Sequence, residues 1–396
     1  MIVSRMILGW RPGQRSCPVS NQRDMTNHVL ITGGAGFIGS HVADELLRQG
    51  VRVRALDSLV PQVHGPDRRR PAYLDPEVEL IVGDVRDRDA VKSALRGVDA
   101  VVHFASAVGV GQSMYKIAEY TSINNLGTAV LLEELAAKPV SRLLVASSMS
   151  VYGEGLYRAA SGAVVPGASR PLEQLKRGDW EVRSEAGEAL VPIPTPESKP
   201  PSLESVYALS KYDQERLCLM IGRAYQIPTV ALRFFNVYGR RQALSNPYTG
   251  VLAIFAARLL NDRPPVIFED GLQRRDLVSV TDVARACVRA LGADAAVGQV
   301  LNIGSGRSYT VREVAERVRD VMGKSGIEPE IVGKARLGDV RHCFADIGAA
   351  QQKIGYAPRV SLEEGLRDLA DWLEGQVAKD AVAQARAELE SRGLTV

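Results

Sequence analysis

The segment His28-Val-Leu-Ile-Thr-Gly-Gly-Ala-Gly-Phe-Ile-Gly-Ser-His41 constrains the fold more than any other stretch of the chain. Val29 to Thr32 is a short apolar strand pattern that runs straight into glycines at 33, 36 and 39, and a helical pattern comes next. A strand that turns at once into a helix needs glycine where the turn is tight (Gly33), where a ligand's pyrophosphate meets the backbone (Gly36), and where helix packs on strand (Gly39). The unpaired N–H groups at the start of such a helix can hold phosphates. The spacing is G-x-x-G-x-x-G rather than G-x-G-x-x-G, and other tight strand-to-helix turns share part of it, so the stretch gains its meaning from the residues downstream of it.

A helix over Gly39–Gln49, with Val42, Leu46 and Leu47 at helical spacing, ends at Gly50. The next strand, Val51–Leu56, delivers Asp57 about 18 residues past Gly39, where a carboxylate can accept both ribose hydroxyls of an adenosine. The same carboxylate repels a 2′-phosphate, favouring NAD over NADP; an ordinary turn aspartate is the alternative on position alone. Strand Val78–Val82 leads to Gly83-Asp84-Val85 and a helix over Ala90–Leu95. Strand Ala100–Phe104 ends in the small residues Ala105-Ser106-Ala107, against which a dinucleotide could lie. Helix Ser122–Ala137, carrying Asn124, and strand Arg142–Ser147 complete the alternation, which predicts a doubly wound parallel sheet.

From Gly153 to Ser205 the rhythm breaks into a proline-rich insertion with at most a small hairpin around Trp180–Leu190. Helix Val206–Tyr225 and strand Thr229–Phe234 resume it, and Asn236 to about Leu373 mixes short elements, as a smaller lobe over the C-terminal ends of the sheet would. Ala378–Arg392 reads as a surface helix. Met1 to Asp24 lacks periodicity and the apolar core of a secretory signal, and reads as a disordered extension or the product of an upstream start codon; a targeting peptide is the alternative. The expected units are therefore 1–25, an extension; 26–235, a dinucleotide-binding domain with an insertion over 154–204; 236–373, a substrate lobe from which some strands and helices can return to the dinucleotide-binding domain; and 374–396, a C-terminal helix. A formal charge of +3 does not call for nucleic acid, and Arg68-Arg-Arg70, between Pro66 and Pro71, reads as a solvated loop. The four scattered cysteines form no CxxC pair, which argues against a zinc site and fits a reducing, cytoplasmic setting. No apolar run reaches the ~18 residues a membrane span requires.

Tyr207-Ala-Leu-Ser-Lys211 puts a phenol and an ammonium one helical turn apart on the same face. A nearby lysine charge stabilises phenolate and would draw the tyrosine pKa down from ~10, making it a general base for a hydroxyl whose carbon gives up hydride. Tyr and Lys share this spacing on many helices by chance, but here the pair comes after five strand patterns, the last ending in Ser147-Ser148. His103, at a strand end, is read as structural.

Gly33–Gly39, Asp57, Asp84-Val85, Ser147-Ser-Met-Ser-Val-Tyr-Gly153, Tyr207 with Lys211, Arg233-Phe-Phe-Asn-Val-Tyr-Gly239 and Arg275-Asp276 together resemble the extended short-chain dehydrogenase/reductases that act on nucleotide sugars, over residues 28 to 373. The resemblance implies a Rossmann-type α/β fold, a doubly wound parallel sheet with a smaller mixed α/β C-terminal substrate lobe, and NAD as cofactor. It implies Ser148, Tyr207 and Lys211 as catalytic residues. Gly33, Gly36, Phe37, Ile38, Gly39, Asp57, Asp84, Val85, Phe104, Ala105, Ser106, Asn124 and Lys211 would serve the cofactor, and Ser148, Asn236, Arg275 and Arg336 the sugar nucleotide. It further implies a homodimer that pairs helices Ser122–Ala137 and Val206–Tyr225 into a four-helix bundle.

Family members that dehydrate or decarboxylate keep acidic residues where this chain has Met149-Ser150, so proton carriers for elimination are missing. What remains is oxidation and re-reduction at C4, an isomerase cycle without net redox change. The finer resemblance, carried by Phe234 to Gly250, Arg341-His-Cys-Phe-Ala-Asp346 and the long segment before Tyr207, is to the dTDP-L-rhamnose 4-epimerase subgroup, which interconverts dTDP-L-rhamnose and dTDP-6-deoxy-L-talose. Relatives can carry zinc-binding cysteine pairs in the insertion; none stands here, so no metal is carried over. Arg240-Arg241 replaces the usual Pro-Arg, which leaves that loop's geometry open. The alternatives are a UDP-hexose 4-epimerase, an NAD(P)H-dependent 4-keto sugar reductase, or a non-catalytic NAD-sensing protein on the same fold.

Overall fold

A computed structural model describes residues 27–395 apart from 245, 247–249, 337, 375 and 377–381. Cys17, the reading of the first 24 residues, and parts of the 234–250 loop and of the 378–392 tail lie outside the described residues. Seven parallel strands form the central sheet: β1 (His28–Thr32), β2 (Arg52–Asp57), β3 (Glu79–Val82), β4 (Ala100–His103), β5 (Arg142–Ser148), β6 (Thr229–Phe234) and β7 (Val300–Ile303). Their order, β7-β6-β5-β4-β1-β2-β3, reverses between β1 and β4, which opens a crevice at the C-terminal ends of those two strands. Alternate residues serve opposite faces: Val29, Ile31, Ala55 and Val102 join one apolar core, while Leu30, Leu56, Val101 and Val145 join the other.

Helix α1 (Phe37–Leu47) starts two residues before Gly39, because Gly36, in extended conformation, is its N-cap. Helix α2 (Arg88–Ala94) is capped by the Asp87 carboxylate, which accepts from the N–H groups of Asp89 and Ala90. The single helix expected over Ser122–Ala137 begins instead at Ile117 and passes through a π-helical stretch, Thr121–Leu126, before α3 (Gly127–Ala137). The widened turn brings Asn124 fully inside, and the absent side chain at Gly127 lets α3 approach Val85: a Cβ there would stand 2.5 Å from Val85 Cγ1. Helix α4 (Val206–Ala224), capped by the Ser205 hydroxyl, packs on β5 and β6.

The chain beyond Asn236 does not form a wholly separate lobe. Helix α5 (Val251–Leu260) does lie in a second apolar core with Tyr238, Ile267 and Leu277, but α6 (Val280–Gly292) packs on α1, and β7 returns to extend the main sheet next to β6. Helices α7 (Val311–Val321) and α8 (Leu362–Leu373), each begun by a capping box, fill out the second core. Helix α9 (Val382–Ser391) is more than a surface helix: Leu389 is buried and approaches the place a Gly111 side chain would occupy, and Glu388 accepts from the Tyr115 hydroxyl at 2.7 Å.

The insertion also holds more structure than one hairpin. Leu156–Arg158, Val164–Pro166 and Val191–Ile193 form a three-stranded antiparallel sheet beside a short helix, Leu172–Lys176, while the expected hairpin reduces to one bridge between Arg183 and Ala189. Single short strands leave little periodicity to read. What fastens the insertion is a buried cluster of ions: Arg341, fully buried, donates to Glu181 (2.5 Å), Glu269 (2.9 Å) and Asp270 (2.6 Å), and Arg170 pairs with Glu269 (2.8 Å). Arg68, Arg69 and Arg70 lie exposed, as the loop reading requires.

Candidate functional site

The glycine segment crosses the crevice between β1 and β4. Gly33 has φ +73°, and a Cβ on it would press within 3.0 Å of Ala105 N; one on Gly39 would stand 2.4 Å from Gly33 O. Gly36 meets only Gly33 O, at 3.3 Å, so the start of α1 is left unobstructed, and no acidic side chain stands in that first turn. A helix N-terminus with free N–H groups and open backbone suits a diphosphate. Phe37 and Ile38 open the helix, and the Phe37 ring meets His41 edge-on. Asp57, at the end of β2, accepts from the Ala35 N–H (3.1 Å) and the Leu59 N–H (2.9 Å), so it shapes the loop as well as facing it. Asp84 is held by both arms of Arg86, whose hydrogen bonds keep its carboxyl below the usual range, and Val85 is buried beside it. Phe104 meets Phe234 edge-on, the N–H groups of Phe104 and Ala105 donate to Thr32 Oγ1, and Ser106 donates to the Ala107 carbonyl.

Ser148 ends β5 and Tyr207 opens α4, so the two come together through the packing of that helix on that strand. The Ser148 hydroxyl lies beside the Tyr207 phenol, and Ser148 Oγ accepts from Ser150 Oγ (2.9 Å) and the Ser150 N–H (3.2 Å). Tyr207 is fixed at both ends: its N–H donates to Ser113 Oγ (3.0 Å), and its ring meets Tyr120 edge-on. Burial pushes the phenol above its ordinary pKa, with the neighbouring Ser148 hydroxyl pulling the other way. The lysine-driven lowering expected from the sequence is therefore not what dominates here. Lys211 is buried, which brings its amine down to about 8, and it donates to Gln214 Oε1 at 2.7 Å.

Sequence reasoning passed over the polar groups beneath this pair. Gln214 Nε2 donates to Thr128 Oγ1 (2.8 Å) and to the Ala105 carbonyl (3.3 Å). The His103 ring lies between Thr32 Oγ1, 2.7 Å from Nδ1, and Thr128 Oγ1, 2.9 Å from Nε2, and burial holds its pKa down at about 3, so it is neutral. Asn124 spends its amide on protein: Oδ1 accepts from the Ala107 N–H (2.7 Å), and Nδ2 donates to the Ala107 carbonyl (3.1 Å) and Ser210 Oγ (2.8 Å). It ties Ala107 to Ser210 on α4, fixing the segment after β4 against that helix. Glu215, one residue past Gln214, is committed to Arg233 (2.7 and 2.9 Å) and Ser147 (2.7 Å).

On the far wall, Asn236 has a buried Oδ1 without a hydrogen-bond partner among the described residues. Arg275 and Arg336 converge on Asp339, at 3.4 and 2.8 Å, while Arg275 also donates to the carbonyls of Val340 and Arg341. Burial would raise the Asp339 pKa, but Arg336 and Arg275 outweigh it and keep the carboxylate charged. The Arg240-Arg241 loop is anchored by side chains: Arg241, at φ +68°, pairs with Asp44 (2.8 Å) and lies over the Tyr73 ring.

A crevice floored by glycines at the sheet reversal, with Ser148, Tyr207 and Lys211 along its side, defines a dinucleotide-dependent α/β enzyme. The model of the NAD dependent epimerase/dehydratase family matches residues 29–171 and 183–304, and the chain belongs to that family. It is an enzyme of the isomerase class, and its cofactor is NAD. The chain is 33% identical to a dTDP-L-rhamnose 4-epimerase of Burkholderia thailandensis over 87% of its own length and 94% of the relative's. It is 31% identical to a putative UDP-glucose 4-epimerase of Methanocaldococcus jannaschii, over 87% and 98% of the two chains. Among solved structures it is similar to the UDP-glucose 4-epimerase of Thermus thermophilus in complex with NAD, at a TM-score of 0.70 and 31% identity over 88% of this chain and all of that one. The residues present fit NAD: the glycine cradle leaves no room for side chains at 33 and 39 and stays open at 36. Among the described residues no cluster of His, Cys, Asp and Glu is arranged to hold a metal, and no helix is long and apolar enough to cross a membrane.

Proposed function

We propose that the protein is a nucleotide-sugar 4-epimerase that oxidises the C4 hydroxyl transiently and restores it with inverted configuration, with dTDP-L-rhamnose and dTDP-6-deoxy-L-talose as its substrate pair. The observation that carries the reading is the Ser148 hydroxyl beside the Tyr207 phenol, with Lys211 one turn along the same helix. In this reading the glycine segment from Gly33 to Gly39, with Phe37 and Ile38, holds the diphosphate of NAD, Asp57 the adenosine ribose, Asp84 and Val85 the adenine, and Phe104 to Ser106 the span toward the nicotinamide. NAD, when bound there, would supply a reversible acceptor for the C4 hydride. Tyr207 takes the O4 proton and later returns it; Ser148 holds O4 in line with the phenol; Lys211 supplies positive charge that favours phenolate once the ligands are in place.

Met149 and Ser150 support inversion over elimination, since Ser150 hydrogen-bonds Ser148 and neither side chain can protonate a leaving hydroxyl or abstract a proton beside a ketone. Asn236, Arg275 and Arg336 are assigned to the sugar nucleotide, with the unpartnered Asn236 oxygen as the free acceptor and the two guanidiniums suited to a diphosphate. The domain reading is a cofactor half built on the seven-stranded sheet and a substrate lobe built on α5, α7 and α8. Exposed Leu126, Leu209 and Met220 on the π-helical stretch and α4 supply an apolar face for the homodimer. The M. jannaschii relative's name favours a UDP-hexose as the second reading. Incubation with dTDP-L-rhamnose and with UDP-glucose, and then chromatography with and without NADH, tests the assignment. Conversion of the dTDP sugar without added reductant is expected; a stoichiometric demand for NADH would overturn epimerisation, and turnover of the UDP sugar alone would shift the substrate class.

A further inference from the structure

Gln214 stands directly behind Lys211, and what it does there differs from what the common partner of a buried lysine would do. Among the described residues the Lys211 ammonium has one hydrogen-bond acceptor, the Gln214 amide oxygen at 2.7 Å. No titratable group hydrogen-bonds that ammonium among the described residues, although the Glu215 charge favours it through space. Glu215, next on α4, has both oxygens on Arg233 and one also on Ser147; His103 on β4 is neutral; Cys218, a turn further along α4, is a thiol pushed up to about 12 by burial; and Tyr207 holds its proton. The amide itself is not free to turn, because its nitrogen is committed to Thr128 Oγ1 and the Ala105 carbonyl, and Thr128 Oγ1 donates in turn to the Asn124 carbonyl at 2.5 Å. The oxygen that Lys211 uses is thereby fixed in direction from two neighbouring segments, the loop after β4 and α3. Gln214 and Lys211 are both almost completely buried, so no solvent competes for this contact.

We propose that Gln214 is a positioning residue for Lys211: its locked amide aims the ammonium along the crevice and satisfies one of its donors without neutralising it, so that the positive charge stays available to the Tyr207 phenol and to the cofactor. A carboxylate at the same place would consume that charge, and an apolar side chain would leave the ammonium without a fixed acceptor. The inference rests on the reading of Lys211 as the phenol's electrostatic partner. It adds that the partner's charge is regulated from behind by a group that touches neither substrate nor phenol.

The test compares wild type with Gln214→Glu and Gln214→Met, using the full chain labelled with 13C at lysine Cε and the Lys211 resonance assigned by its loss in Lys211→Arg. In the NAD-free protein the Lys211 signal should titrate near 8 in wild type, about one pH unit or more higher in Gln214→Glu, and lower in Gln214→Met. In turnover with the preferred nucleotide sugar, Gln214→Glu should move the rising limb of the kcat profile to higher pH, because the phenol then feels a neutralised pair. Gln214→Met should move the falling limb to lower pH. Opposite displacements are what a purely structural defect would not produce. An unchanged Lys211 titration in both variants overturns the proposal; should Gln214→Met fail to fold, the near-isosteric Gln214→Glu alone decides it. The resonance measurement needs no substrate, so absence of epimerisation with every sugar tried would remove the functional reading while leaving the lysine result to stand by itself.

Discussion

Gly39→Ala probes the geometry of the crevice with a single methyl group. A Cβ at this position would lie 2.4 Å from Gly33 O, 2.8 Å from Gly34 Cα and 3.1 Å from Gly33 C, and all three are backbone atoms with no rotamer to yield. Relief requires α1 and the glycine loop to separate by several tenths of an ångström, yet α1 is held by α6 on its other side and the loop by the Ala35 N–H on Asp57. Overpacking of this kind costs about 1–3 kcal/mol, which at about 1.2 °C per kcal/mol for a chain of this size lowers Tm by about 1–4 °C. The loop is also the phosphate cradle, so the NAD dissociation constant should rise at least about tenfold, the equivalent of about 1.4 kcal/mol. Calorimetric titration of NAD-stripped protein and thermal unfolding without ligand read the two effects separately. Gly292→Ala is the control, since a Cβ there meets nothing within 4 Å at the end of α6, and it should leave NAD affinity unchanged and Tm unchanged or up to about 1 °C higher. Wild-type Tm and wild-type NAD affinity in Gly39→Ala would show that close packing at this point does not shape the cradle.

Tyr207→Phe should reduce kcat by about 10²–10⁴ while Tm and NAD affinity hold, because the ring contact with Tyr120 and the N–H bond to Ser113 survive; turnover above a tenth of wild type would remove the phenol from the chemistry. Arg341→Met leaves Glu181 and Asp270 without their guanidinium and Glu269 with Arg170 alone, and should destabilise the protein by about 3 kcal/mol, with proteolytic cleavage appearing first between residues 154 and 204; denaturant midpoints and timed digestion check this. Burial keeps His103 at about 3 against 6.5 in the unfolded chain, so the unfolded state takes the proton first. That contribution is complete above pH 6.5 and declines by about 1.4 kcal/mol per pH unit as pH falls from there toward 3, a slope that urea midpoints should show in wild type and that His103→Asn should flatten. Light scattering should find a dimer, and Leu209→Glu with Met220→Glu should yield monomers; a monomeric wild type contradicts the bundle.

The strands of the central sheet were legible because buried parallel strands read as unbroken runs of Val, Ile, Leu and Ala; β6 falls on the residues its pattern indicates. The site was legible where chemistry demands a residue type at a fixed interval: glycine at 33 and 39, and a tyrosine and a lysine one turn apart. Features that depend on long-range packing were not. Nothing local marks residues 300–303 as a seventh strand rather than a piece of the lobe, since four residues carry little periodicity. The π-helical stretch is set by Asn124 reaching Ala107, a tertiary contact that an α-helical pattern hides. The Tyr207 pKa ran opposite to expectation because spacing reveals a neighbour's charge but not the loss of water around the phenol. Gln214 did leave a trace, standing three residues after Lys211 on one helix, an interval at which side chains meet.

The late arrival of β7 has a consequence for how the chain comes to be folded. During synthesis β6 emerges with one flank unprotected, and it stays so until some seventy further residues have been added and Val300–Ile303 can seal it. A ribosome stalled anywhere in that interval would present a ready strand template to other nascent chains, and cutting the gene after the last residue of β6 would yield an aggregating half rather than an independent cofactor module.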